Sequence, residues 1–133
     1  MEGIVVMAGL GTVGIYREMY QGKEHLPSLR ESQAVRALTD QQQILGYMRA
    51  GTPVFDVLED VVDLVDNSTV IPGGPSLISD GRWIWRVDSI HYLTHYRLAF
   101  PETFVQHVRG SDYRPPVTIP ATDEFDAAVL SFF

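Results

Sequence analysis

The sequence predicts an α+β protein in which a small antiparallel sheet packs against four to five short helices. Two observations predict the sheet: a β-branched run at residues 4–8, and two aromatic and aliphatic runs that flank Asp80-Gly81. A third observation predicts the helices, since several later segments repeat apolar residues at helical spacing. The 133 residues are 45% hydrophobic and 20% charged, which suits a single domain over residues 1–133.

The N-terminal strands surround a glycine motif. Residues 4–8 and 12–16 are predicted to be strands that join the later tryptophan hairpin in one sheet. Residues 9–14, which lead from the first strand into the second, match the G-x-G-x-x-G pattern of dinucleotide-binding folds. In those folds the glycines allow close approach of pyrophosphate to a helix N-terminus. The helix and the acidic residue that this fingerprint requires do not follow. We therefore interpret the motif as a turn and expect no nucleotide cofactor.

Capping signals predict two helices in the next part of the chain. Ser28 with Glu31 fits a capping box and predicts a short helix over residues 29–38. Asp40 with Gln43 repeats this signal and predicts a second helix that ends before the glycine at position 51. The apolar face of the second helix consists of Ile44, Leu45 and Met48.

Residues 54–65 carry the strongest helical periodicity, after Thr52-Pro53 as N-cap and first helical residue. The apolar residues fall on one side and the acids on the other: Asp56, Glu59, Asp60, Asp63 and Asp66. No base in this segment offsets the five acids, so their like charges repel one another. A solvated face is the ordinary interpretation. The alternative is a docking surface for a basic protein partner, which three acids of the tail could extend: Asp123, Glu124 and Asp126.

Residues 76–86 are predicted to form a β-hairpin around Asp80-Gly81, a preferred pair for a two-residue turn. This register places Ile78 opposite Trp83 and Ser76 opposite Trp85 on one face of the hairpin. Leu77 and Ile84 share the other face. The two tryptophans are core anchors in the interpretation that we favour, and a partner-binding platform in the alternative.

Two more helices and an apolar end complete the chain. Asp88 is predicted to cap a helix that runs to about Arg97, and Pro101 to begin a helix that ends at Gly110. Residues 125–133 are apolar enough to dock as a short helix or strand.

Two histidines of the first of these helices could chelate a metal, because His91 and His95 are four residues apart. The zinc-protease pattern requires Glu directly after the first His, and Tyr92 occupies that position. A third ligand would come from elsewhere, with His107 the nearest candidate. Ordinary surface histidines are the favoured interpretation.

Composition narrows the classes of function. A formal net charge of −7 argues against a nucleic-acid partner, and the absence of cysteine excludes thiol chemistry and disulfides. We find neither a signal-peptide pattern nor the run of about 20 apolar residues that a membrane helix needs. Nucleophile-elbow, P-loop and kinase motifs are also missing. These observations predict a cytoplasmic, non-catalytic protein without metal or cofactor.

Three segments together resemble a known class of bacterial protein. They are Ile-Leu-Gly-Tyr-Met-Arg-Ala-Gly at 44–51, Ser-Asp-Gly-Arg-Trp-Ile-Trp-Arg at 79–86, and His-Tyr-Leu-Thr-His-Tyr at 91–96 followed by Leu-Ala-Phe-Pro-Glu-Thr-Phe at 98–104. The chain resembles small uncharacterised proteins of the immunity type, which are found beside polymorphic toxins. The resemblance covers less than half of the chain and implies a non-catalytic inhibitor that binds a toxin domain.

Three hypotheses follow for the function. The first is an immunity-type inhibitor that covers a basic toxin domain through the acidic segment and the tryptophans. The second is a small metal-dependent hydrolase that uses His91, His95 and nearby acids. The third is a homo-oligomeric structural or regulatory protein, such as a homodimer, with Phe132-Phe133 at the interface.

Overall fold

The computed structural model describes residues 10–133 and confirms the α+β class. The described residues form a four-stranded sheet, a separate two-stranded sheet and four α-helices. The strands are β1 (Gly11–Thr12), β2 (Thr52–Phe55), β3 (Val61–Val62), β4 (Val70–Ile71), β5 (Leu77–Ser79) and β6 (Trp83–Arg86). The helices are α1 (Gln41–Arg49), α2 (Val87–His95), α3 (Glu102–Gly110) and α4 (Asp123–Leu130).

The four-stranded sheet has the order β1-β6-β5-β2 and is mixed, whereas an antiparallel sheet was expected. β1 runs parallel to β6, with Gly11 beside Trp83 and Thr12 beside Ile84. The remaining pairs are antiparallel. The prediction that the N-terminal region joins the tryptophan hairpin is confirmed for β1. The strand predicted over residues 12–16 is wrong in its extent, because β1 ends at Thr12 and the chain bends at Gly14, which has φ of 68°. The predicted strand at residues 4–8 lies outside the described residues.

The tryptophan hairpin forms where it was predicted, but its register is shifted by two residues. Ile78 lies opposite Trp85, where Trp83 was expected. The reason is the Asp80 side chain, whose Oδ1 accepts the backbone N–H groups of residues 82 and 83 at 2.9 and 2.7 Å. Asp80 therefore flanks the turn, and Gly81, with φ of 97°, occupies a central position. The two faces are as predicted, because a shift of two residues preserves them.

The helix predicted over residues 54–65 is wrong. The segment begins within strand β2, which pairs with β5, and continues through residues 56–60, which have no regular secondary structure, into β3. Its many valines have a higher preference for strands than for helices, and its acids would repel one another along a helix. Pairing with the buried strand β5 outweighs the helical periodicity.

The short helix predicted over residues 29–38 is reduced to a 3₁₀ turn at Arg30–Ser32. The backbone beyond this turn pairs instead with the chain that follows α2. Ala34 N–H donates to Arg97 O at 3.0 Å, and Ala99 N–H donates to Ser32 O at 2.7 Å. The predicted helices at α1, α2 and α3 are confirmed, but Arg86 occupies the N-cap of α2, where Asp88 was expected. For the end of the chain a helix or a strand was expected, and the structure has the helix α4.

The core consists of two clusters. The larger one contains Trp85, Tyr47 and Phe104 together with other residues of α1, α2 and α3. The smaller one contains Leu77, Ile84 and residues of α4. Because Trp85 and Ile84 are neighbours on one strand, the two clusters lie on opposite faces of the sheet. The sheet is therefore covered by three helices on one face and by α4 on the other.

We predict that Gly14→Ala lowers the free energy of unfolding by about 2–4 kcal/mol, since strain at positive φ and steric crowding add. Gly14 has φ of 68°, and an added Cβ would lie 2.8 Å from Ser89 Cβ. Gly22→Ala is the matched control, because Gly22 has φ of 77° with open space around it. Urea unfolding of both variants measures the difference. Equal losses in the two variants would contradict the importance of the α2 contact.

Candidate functional site

The chain from Asp56 to Val70 forms an exposed surface that is rich in acidic residues. Residues 51–81 contain six acids and no Lys or Arg. The carboxylates of Asp56, Glu59, Asp60 and Asp66 belong to exposed residues. Negative charge is therefore concentrated on one stretch of surface, which favours a positively charged partner.

Apolar side chains are exposed on the same stretch. Strands β3 and β4 pair Val61 with Ile71 and Val62 with Val70, so each pair lies on one face of this ribbon. Ile71 is buried and Val61 packs against the larger core cluster, whereas Val62 and Val70 are exposed. Leu58 is completely exposed. We use the name hairpin surface for Asp56, Leu58, Glu59, Asp60, Val62 and Val70.

Hydrogen bonds to the Asp63 side chain connect this ribbon to the rest of the protein. This side chain is only 1% exposed, in contrast to the surface position that helical periodicity predicted. His91 Nε2 lies 2.6 Å and Tyr96 Oη 2.8 Å from Asp63 Oδ2. An ionised carboxylate only accepts, so His91 Nε2 carries a proton in this contact. Asp63 Oδ1 accepts the N–H groups of residues 65 and 66 at 2.7 and 3.1 Å.

The pKa of Asp63 shows that these bonds outweigh its burial. Burial acts to raise this pKa, but hydrogen bonds from His91, the Val65 N–H and Tyr96 hold it below its ordinary value. The carboxylate is therefore ionised at neutral pH. A further bond joins the ribbon to α2, because Leu64 N–H donates to Tyr92 Oη at 2.8 Å. Asp63 thus has a positioning role, and partner contact is left to its exposed neighbours.

Asp66 is exposed but is committed to its own turn. Its carboxylate accepts from the Thr69 hydroxyl and from the backbone N–H groups of Ser68 and Thr69, which lowers its pKa to about 2. Among the five acids of the sequence prediction, the exposed ones without such bonds within the described residues are Asp56, Glu59 and Asp60.

The two tryptophans of the predicted partner site belong to the core. Trp85 has 0% exposure, and its indole N–H donates to Met48 O at 3.0 Å. Trp83 is half-buried, and its ring packs edge-on against Phe104 at 5.2 Å between centroids. Trp85 cannot contact a partner in the folded protein, which corrects that part of the predicted surface.

The histidines of α2 contact other side chains of the protein. His91 is bonded to Asp63, His95 is exposed, and their rings lie 4.6 Å apart. His107, the third candidate ligand, instead lies on α3 with Nε2 3.0 Å from Asp80 Oδ2. Within residues 10–133, no group of three or more His, Asp or Glu side chains is arranged to hold a metal ion. Nothing in this geometry adds support to the hydrolase alternative.

Packing explains two glycines of the N-terminal motif. Gly11 lies in β1, where a Cβ would be 2.6 Å from the Trp83 ring. Gly14 O accepts the Ser89 hydroxyl at 2.6 Å. The element that follows is a 3₁₀ turn at Arg17–Met19, so the described part of the motif is not followed by an α-helix N-terminus.

Comparison with known proteins leaves the site to be interpreted from its own geometry. No family model, curated protein or solved structure matches this chain. No helix among residues 10–133 is both long and apolar enough to cross a membrane.

The sequence identified the acids of this surface but missed the residues that hold it. Tyr92 and Tyr96, which bond the ribbon from α2, were considered only as helix residues. Their spacing of four places both on one helix face, which was the available signal.

Proposed function

We propose that this protein is a non-catalytic binding protein of the immunity type, which neutralises a basic toxin domain by covering it with the hairpin surface. The single observation that carries the proposal is one stretch of chain, residues 56–70, that combines exposed aliphatic side chains with exposed acids that form no ion pair within residues 10–133. Its cytoplasmic location and bacterial source are parts of the same proposal.

The composition of the hairpin surface supports this role. Exposed apolar side chains provide area that a partner can remove from water, and Leu58, Val62 and Val70 are all exposed. Asp56, Glu59 and Asp60 border them and would steer a basic partner during encounter. A docking surface of this kind needs a partner with Lys or Arg around an apolar centre.

The attachment of the ribbon also supports a binding role. Side-chain bonds from α2 hold the chain around Asp63 in one conformation before any partner arrives. A surface that is ordered in advance loses less conformational entropy on binding, which favours affinity. The exposed acids are therefore presented on a defined backbone.

The direct test is expression of the genes that flank this one, each with and without this chain, in a bacterial host. A flanking product that stops growth, and whose effect this chain abolishes, is the expected result. Absence of a toxic neighbour, or growth arrest that this chain does not relieve, would contradict the proposal. The second hypothesis, a hydrolase, predicts instead that metal removal changes stability, which calorimetry in chelator measures.

The triple variant Asp56→Asn, Glu59→Gln, Asp60→Asn is expected to bind that neighbour at least about tenfold more weakly at low salt, mainly through slower association. The affinity of the wild type should fall with added salt more steeply than that of the variant. Glu24→Gln, Glu102→Gln, Asp112→Asn is the control, because it removes the same charge from exposed residues outside the hairpin surface and the tail. Equal weakening by both variants would show that net charge alone is responsible.

A further inference from the structure

A cleft opens beside the turn that joins β3 to β4. Its volume is about 740 Å³, within the range of small-molecule sites. Leu64 and Val65 of the ribbon form part of one wall, and Leu29 and Leu98 add apolar surface from two other segments. The 3₁₀ turn at Arg30–Ser32 and the chain after α2 meet here through the backbone bonds of residues 32–34.

Two guanidinium groups give the cleft a positive balance. Arg30 and Arg97 line it, and neither forms an ion pair with another described residue. Arg97 Nη1 donates to the backbone O of Val35 at 3.3 Å, which places this side chain along the same segment. The planar guanidinium group matches the geometry of a carboxylate.

One carboxylate also lines the cleft, but its hydrogen-bonding capacity is directed inward. Glu18 Oε1 accepts the Leu29 N–H at 2.8 Å, and Oε2 accepts the Ser28 hydroxyl at 2.9 Å. Glu18 therefore closes the turn between residues 18 and 29. With two cations and one anion in the lining, the charge balance of the cleft is opposite in sign to that of the whole chain.

We propose that this cleft binds a small amphipathic carboxylate, with its chain on Leu29, Leu64, Val65 and Leu98 and its charge at Arg30 and Arg97. An apolar body with one anionic end fits both features, since aliphatic side chains form much of the lining and its positive charges are those of the two arginines. A neutral ligand would leave the guanidinium groups unused, and a cation would meet them unfavourably. Occupation of the cleft does not require a partner on the hairpin surface.

The test is titration of ¹⁵N-labelled full-length protein with sodium octanoate, followed by amide chemical shifts. We expect saturable shifts in residues 29–34, 64–67 and 96–98, and weaker binding of octanol and of acetate, which each carry half of the ligand chemistry. Octanol that binds as tightly as octanoate would overturn the anionic part of the proposal. Shifts absent from the cleft, or confined to the hairpin surface, would overturn the site.

The double variant Arg30→Gln, Arg97→Gln is expected to weaken octanoate binding about tenfold, because two exposed charge contacts each contribute modestly. Arg36→Gln, Arg114→Gln is the matched control, which removes the same charge from exposed residues outside the cleft. Unchanged affinity in the first pair, or an equal loss in both, would overturn the role of the two arginines. Both pairs should retain the dispersed amide spectrum of the wild type.

Discussion

Replacement of Trp85 by alanine is expected to lower the free energy of unfolding by about 3–5 kcal/mol, the range for a large aromatic residue removed from a core. Trp85 has 0% exposure and lies 5.8 Å from Phe104 and 6.3 Å from Tyr47, measured between ring centroids. The change removes these contacts and also leaves Met48 O without the indole donor. Urea unfolding followed by circular dichroism measures the loss.

Two further variants make this result interpretable. Trp85→Phe keeps an aromatic ring and should lose less stability, which provides a value even where Trp85→Ala does not fold. Val117→Ala changes a residue that is 97% exposed and should shift stability by less than about 0.5 kcal/mol. A Trp85→Ala protein as stable as the Val117→Ala protein would contradict the position of Trp85 in the core.

Removal of the Asp63 carboxylate is the second large effect, with an expected loss of about 3 kcal/mol for Asp63→Ala at pH 7. The change leaves Tyr96 Oη, His91 Nε2 and two backbone N–H groups without their acceptor. Asp60→Ala is the control, because Asp60 is exposed on the same ribbon, and no measurable change is expected. Hydrogen exchange should accelerate first in residues 61–71, which would separate loosening of the ribbon from global unfolding.

The pH dependence of this loss has a definite sign. The folded-state pKa of Asp63 is lowered, so its stabilisation is present above the ordinary aspartate pKa, near 4, and is lost as the pH falls through the folded value. The stability difference between wild type and Asp63→Ala should therefore shrink as the pH falls below about 4. A difference that grew over this acidic range would contradict an ionised Asp63.

Local chemistry explains which parts of the fold could be predicted. The hairpin around Asp80-Gly81 and the helices at α1 and α3 are marked by turn and boundary residues close in sequence, and they form at the expected positions. Their details are less predictable, since the hairpin register is shifted and the Asp40 side chain does not cap α1. Residues 54–65 have helical periodicity, but Phe55 pairs with β5, more than 20 residues away in the chain, and residues 61–62 pair with β4. Periodicity alone carries no information about that partner.

The sequence likewise predicts some features of the candidate site and not others. Clustering of acids in residues 56–66 is visible in the sequence, and so is their sign. Burial of Asp63 is not visible, because its partners His91 and Tyr96 are 28 and 33 residues further along the chain. The cleft likewise combines three segments that meet only after folding.

The ribbon of β3 and β4 has a thermodynamic consequence because it belongs to a sheet of its own. It is joined to α2 by side-chain bonds, so it can open as a local unit while the four-stranded sheet stays intact. Val62 and Val70 of the ribbon belong to the hairpin surface, and Leu64 and Val65 of the turn between its strands line the cleft. Any two ligands that both select the closed ribbon, one at each of these places, must therefore strengthen each other's binding by the same factor.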